Sequence, residues 1–321
     1  MHPYGARTVT FDLPILVLGL AGLWGGTLVA VRGAVRLSEE YGWSQGFVGL
    51  AVMAVGTDLP ELVVALSGSV QELQGVDASG MIVGSAFGSA LAQGTLVLGA
   101  AGLMGYLPVA RRMVRRDGIT LLLCVGLAAA LATGGRVGRW EGAAMVLAYA
   151  IYMVSLVHSE RGEPAPPEAT PQGGPPAPLA IAVGLTVVVL SAHLVVRAGI
   201  DIAVDLGVSQ SLLGVLVVGL GTSLPELALS LRAAAEKRAS LSVGNVIGSN
   251  IFDLLVPVGA AAMVVPLTVD PVTLSLDLPA LAVATAVLLV FLVRKQGLQR
   301  GEAAVLLALY CVYAGVRLWM G

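Results

Sequence analysis

The chain has 321 residues, 57% of them hydrophobic and 12% charged, with a mean hydropathy of +0.89. Soluble domains carry about 25% charged residues, so water is not its main solvent. The net charge of -2 offers no basic surface for nucleic acid, and in a bilayer the placement of charge matters more than its sum.

In chain order, apolar runs such as Leu13 to Val31, Leu179 to Val196 and Leu274 to Val293 approach the roughly 20 residues that carry a helix across hydrocarbon. They are nearly continuous, whereas a barrel would show short segments of alternating polarity. The first run has neither a strongly basic leading flank nor a small-residue cleavage site, and is read as a retained span. The pattern predicts an all-α membrane protein with spans near 13–37, 46–70, 80–108, 118–134 and 140–157, then 179–205, 209–234, 240–266, 274–294 and 302–319. Between the two groups of five, Ser159 to Pro178 is rich in Pro, Gly and Glu and predicts a flexible linker. Residues 1–158 and 179–321 thus form two five-span halves. Cys124 and Cys311 fall inside apolar runs and read as small hydrophobic residues. Of the 18 Lys and Arg, 13 fall on one side of this layout, while Arg7, Arg136, Arg139, Arg197 and Arg317 fall on the other. Positive charge collects on the cytoplasmic side, which predicts both termini outside and the linker inside.

The halves resemble each other. Offset by 165, Gly42 to Leu62 falls on Gly207 to Leu227 with 11 of 21 positions identical; offset by 160, Val83 to Gly99 falls on Val243 to Gly259. The repeats run over about 42–99 and 207–259. Five spans separate each residue from its partner, and five is odd, so the copies are expected to cross the membrane in opposite directions. Transporters of that architecture place their site at the repeat interface, on helices interrupted by Gly or Pro. Gly56 with Pro60, and Gly221 with Pro225, supply the interruption twice.

Four carboxylates fall within the four spans of the two repeats, 46–70, 80–108, 209–234 and 240–266: Asp58, Glu61, Glu226 and Asp253. Ionisable groups at that depth are costly and usually mark ion pathways, and the bland alternative, pairing with Lys or Arg, fails because those helix centres contain neither. Asp58 and Glu61 are spaced i, i+3 beside Thr57, and Thr222, Ser223 and Glu226 repeat the arrangement; Ser89 and Gln93, like Ser249 and Asp253, are four apart on one face. Carboxylates, hydroxyls and freed carbonyls make an all-oxygen shell, suited to calcium or sodium rather than zinc or copper.

The segments GTDLPEL with GSALAQGTLVLG, and GTSLPEL with GSNIFDLLVPVG, resemble the two α-repeats of the calcium/cation antiporter superfamily, closest to its prokaryotic sodium/calcium exchanger-like members. The resemblance spans the chain apart from the linker. It implies a prokaryotic cell-membrane antiporter whose ion ligands are Glu61, Thr57 and Ser89 in the first repeat and Glu226, Thr222, Ser223, Ser249 and Asp253 in the second. The carbonyls of Ala54 and Gly219 join them. Two positions depart from that pattern. Asp58 stands where Ser is usual, and Gln93 where Asn or Asp is usual. The linker is too short for the folded regulatory domain of animal exchangers.

The expected function is sodium/calcium exchange by alternating access. The alternative is proton-coupled exchange of calcium or another divalent cation, favoured by Asp58, since one of several crowded carboxylates can hold a proton. A single divalent ion cannot balance four negative charges. A channel fits the single-chain inverted repeat poorly, and a hydrolase would need a nucleophile and base that His2, His158 and His193 do not furnish. No enzyme activity, cofactor or protein partner is expected; the partners are the lipid bilayer and the transported calcium and sodium ions.

Overall fold

In hydrocarbon the backbone must be satisfied within each segment, and an α-helix achieves this without help from its neighbours. The computed structural model describes residues 9–40, 58–160, 176–235 and 239–320, and helices dominate it. Helices α1 (Val9–Glu40), α2 (Leu59–Leu73), α3 (Ser79–Met104), α4 (residues 111–132) and α5 (Arg139–Glu160) precede the linker. Helices α6 (Ala177–Leu206), α7 (Gln210–Thr222), α8 (Leu224–Ala235), α9 (Ala239–Val264), α10 (Thr273–Lys295) and α11 (Arg300–Met320) follow it. The linker expected from 159 to 178 is helical at both edges, and residues 161–175 lie outside the described residues. Single π-helical turns interrupt α3 at Gln93–Val97, α4 at Val114–Gly118 and α7 at Gly214–Val218, and one opens α10 at Thr273–Asp277.

Among the described residues, six helices are long and apolar enough to cross a membrane, or seven if α7 and α8, bent by 42° at their junction, form one span. Ten spans were expected. The first part of the second expected span falls in 41–57, outside the described residues. Helix α4 opens on Arg111, Arg112, Arg115, Arg116 and Asp117, which leaves Ile119–Ala132, 14 residues, as its uninterrupted apolar part.

Helices α3 and α9 are central, with 94% and 78% of their apolar windows buried, against 28–44% for α1, α6, α10 and α11. The outer helices present large apolar side chains outward, including Leu18 and Val17 of α1, Leu190 of α6 and Val312 of α11. Such a surface suits lipid. The two longest helices, α1 and α6, pack along each other through small residues: a Cβ on Gly26 would stand 2.9 Å from the Gly184 carbonyl, and one on Gly33 2.9 Å from Ile181. Close helix approach of this kind drives association where lipid removes the hydrophobic difference.

Two short antiparallel ribbons join the halves. Strand β1 (Leu107–Pro108) pairs with β4 (Gly297–Leu298), and β2 (Arg136–Val137) pairs with β3 (Leu267–Thr268). Shifting β1 by 160 gives β3, and shifting β2 by 161 gives β4, so each ribbon is the repeat equivalent of the other. The same shifts relate further contacts. Arg139 donates to the Val264 carbonyl and Arg300 to that of Met104. Tyr152 donates to Asp117 at 3.4 Å and Tyr313 to Asp277 at 2.8 Å.

Candidate functional site

The site begins with two matching breaks in the helical backbone. Asp58 caps α2 with φ -88° and ψ 5°, and Ser223 stands between α7 and α8 with φ -81° and ψ 5°. Each is followed two residues later by a proline, Pro60 or Pro225, which has no N–H to continue the preceding helix. Glu61 and Glu226 then fall in the first turn of α2 and α8, where the helix N-terminus favours negative charge.

Helix α3 lies backbone to backbone against α7. A Cβ on Gly80 would be 3.2 Å from the Ser211 nitrogen, and one on Gly84 2.7 Å from the Ser211 carbonyl oxygen. Gly88 meets the backbone of Val215 in the same way, and a Cβ on Gly219 would stand 2.6 Å from the Ser85 carbonyl. These glycines bring Ser89, one residue past Gly88, to the α7–α8 break.

Ser89 is the junction of the site. Its hydroxyl lies 2.7 Å from the Ser223 hydroxyl, 2.7 Å from Asp253 Oδ2 and 3.2 Å from Glu61 Oε1. Gln93 Nε2 donates to the same hydroxyl at 3.0 Å and to Asp253 Oδ2 at 2.9 Å. A hydroxyl carries one proton, so Ser89 can donate to only one of these oxygens at a time. Asp58 lies beside Ser249 and Glu226, while Glu61 lies beside Thr222 and within electrostatic reach of Glu226 and Asp58. Asp253 is within reach of Glu61 and Asp58.

Nine expected residues are therefore brought together and buried: Asp58, Glu61, Ser89, Gln93, Thr222, Ser223, Glu226, Ser249 and Asp253. Thr57 and Ala54 lie outside the described residues. The Gly219 carbonyl, expected as a ligand, already accepts the Ser223 hydroxyl at 2.8 Å, the Thr222 hydroxyl at 3.2 Å and the Ser223 N–H at 3.3 Å. It is open to an ion only if a hydroxyl turns away.

Among the described residues, several buried oxygens of these side chains have no hydrogen-bond donor: Glu61 Oε2, Asp253 Oδ1 and Gln93 Oε1. None of Asp58, Glu61 and Asp253 forms an ion pair with Lys or Arg among the described residues. Buried acceptors left this way fit a hard cation, which accepts oxygen from every direction. Among the described residues no three His, Cys, Asp or Glu side chains converge as a ready-made metal cage. The carboxylates instead stand around hydroxyls and an amide.

Two neighbours were missed by the sequence reading. Asn250, buried with an undonated Oδ1, follows Ser249 directly and faces Gly94. Tyr149 of α5 packs edge-on against Phe252, ring centroids 5.3 Å apart, within electrostatic reach of Asp58 and Asp253.

The profile described as sodium/calcium exchanger protein matches residues 12–157 and 176–319. The chain is 25% identical to the sodium/calcium exchanger MaX1 of Methanosarcina acetivorans, with 95% of this chain and 98% of that one covered. It is 26% identical to the inner membrane protein YrbG of Escherichia coli, again over 95% and 98%. Among solved structures it resembles the sodium-calcium exchanger NCX_Mj, soaked with 2.5 mM sodium and 10 mM strontium, at a TM-score of 0.66 and 27% identity, covering 95% of this chain and 98% of that one.

Proposed function

The chain belongs to the sodium/calcium exchanger protein family, and from that premise we propose that it exchanges sodium for calcium by alternating access, through the site around Ser89. The observation that carries this reading is the contrast between two kinds of buried carboxylate. Asp117 and Asp277 are held by Arg116 at 2.8 Å and Arg317 at 3.0 Å. Asp58, Glu61 and Asp253 have no such partner among the described residues, so the cargo supplies the positive charge. One ion set then excludes the other by charge balance.

We place ten spans in two inverted halves of five in a prokaryotic cell membrane, with both termini outside and the linker inside. The paired ribbons and the matching breaks at Asp58 and Ser223 support the inverted repeat. Glu61 and Glu226 act as the central ligands, assisted by Thr57, Ser89, Thr222, Ser223, Ser249 and Asp253, and by the carbonyls of Ala54 and Gly219. A proton-coupled variant has its own support in Asp58, a fourth buried carboxylate beside Glu226.

The test is ion flux in reconstituted vesicles with sodium and proton gradients imposed separately, comparing calcium, manganese and magnesium. Calcium uptake driven by outward sodium at fixed pH is the expected result. Uptake that follows the proton gradient alone would establish the second reading in its place, and uncoupled downhill flux would overturn both.

A further inference from the structure

At the end of the bundle that carries Asp77 and Asp270, a cavity of about 270 Å3 is walled by Asp77, which precedes α3, and Gly80 in its first turn, by the start of α7 (Gln210, Ser211), and by Thr268 of β3 with Asp270 in the turn before α10. One of these lining residues, Ser211, is bonded to Arg317. The charge pattern along the chain places this arginine among the flanking charges at a membrane face; in the structure it is fully buried. Its Nε meets Asp277 Oδ1 at 3.0 Å, and its Nη2 donates to the Ser211 hydroxyl at 2.7 Å. Ser211 in turn donates to Asp270 Oδ2 at 3.0 Å, and Asp270 Oδ1 accepts the Val272 N–H at 2.8 Å. One guanidinium thus ties α11 and α10 to the first turn of α7. The other end of α7 carries Thr222 and leads into Ser223 at the break.

The equivalent positions of the first half lack the side chains that make this tie. Shifted by the repeat offsets, Asp277 corresponds to Asp117 and Tyr313 to Tyr152, but Arg317 corresponds to Leu156 and Ser211 to Gly46. The carboxylate and the tyrosine are therefore matched between the halves, whereas the Arg and the Ser are not. A buried guanidinium is costly unless paired and hydrogen-bonded; beside its ion pair to Asp277, only Nη2 of its three nitrogens has a hydrogen-bond partner among the described residues, and that partner is Ser211.

We propose that Arg317 is a positioning residue, which, through Ser211, anchors α7 as a lever and so holds Ser223 against Ser89 and Thr222 beside Glu61. The affinity part of the test rests on the calcium reading above. Ser211→Gly breaks the link without removing a charge. The pair Arg317→Leu with Asp277→Asn breaks it without leaving one charge buried alone. Each should raise the half-saturating calcium concentration about two- to thirtyfold, the range for residues acting on a site they do not touch, with the maximal rate per folded molecule little changed. Combining both changes should add nothing further. Amide exchange within 210–222 should quicken in each variant. That measurement needs no ion, so it decides the anchor even if the wild-type protein carries no calcium, an outcome that would remove only the preceding reading. Unchanged exchange in 210–222, or additive effects of the two sets of substitutions, would overturn the proposal.

Discussion

The hydroxyls of Ser89 and Ser223 lie 2.7 Å apart, although 134 residues separate them and they belong to different halves. One stands on α3, the other at the break between α7 and α8. The site is therefore a joint product of both repeats, and each half contributes carboxylates that the other half surrounds.

Glu61 and Glu226 occupy equivalent first turns, so each is expected to be indispensable. Changing either to Gln removes a charge at nearly constant shape. Calcium flux in vesicles should fall about 100-fold or more, the scale for breaking one partner of a buried charged contact. Normal flux in either variant would sink the shared-site reading.

Gly88 sets the spacing behind Ser89. Gly88→Ala would drive a Cβ into the backbone of Val215, and such overpacking costs about 1–3 kcal/mol. Thermal unfolding in detergent should show a lowered midpoint, and calcium affinity should drop with it. A variant as stable as the parent would mean that α3 and α7 have room to separate.

Gln93 holds Asp253 Oδ2 with one amide hydrogen and Ser89 with another. Hydrogen bonds to charged groups contribute about 1.5–3 kcal/mol, so Gln93→Leu should weaken half-saturation by calcium about tenfold or more. An unchanged affinity would leave Gln93 a packing residue.

Asp58 breaks the symmetry between the repeats, for its equivalent, Ser223, is neutral. Asp58→Ser should alter coupling and leave calcium movement in place. If the carboxyl carries a proton through the cycle, the pH dependence of transport should flatten. If it holds a further cation, the sodium dependence should become less steep. Identical sodium and pH profiles would put Asp58 outside the coupled reaction.

Much of the site was legible because its residues cluster in two short motifs that the chain states twice: GTDLPEL and GTSLPEL give the breaks, and Ser89 and Ser249 the hydroxyls. The sites of Arg317 and Asp117 were not. Tyr152 and Asp117 are 35 residues apart and Arg317 and Ser211 are 106 apart, so no local spacing announces them, and an Arg near a chain end reads as a flank. The four-residue spacing of Gly80, Gly84 and Gly88 puts them on one helix face, but only the packing shows that their partner is α7. The π-turns carry no sequence signal that composition or periodicity reveals.

The two ribbons bear on how such a chain is made and where it came from. Each corner strand of the first half, β1 or β2, finds its partner only in the second, so the first half emerges from the ribosome with both corners unpaired and closes them when the last helices arrive. A single half, associated with a second copy of itself inserted the other way up, would form both ribbons from one and the same contact. Under that geometry the fused chain needs no interface that a pair of separate halves would lack.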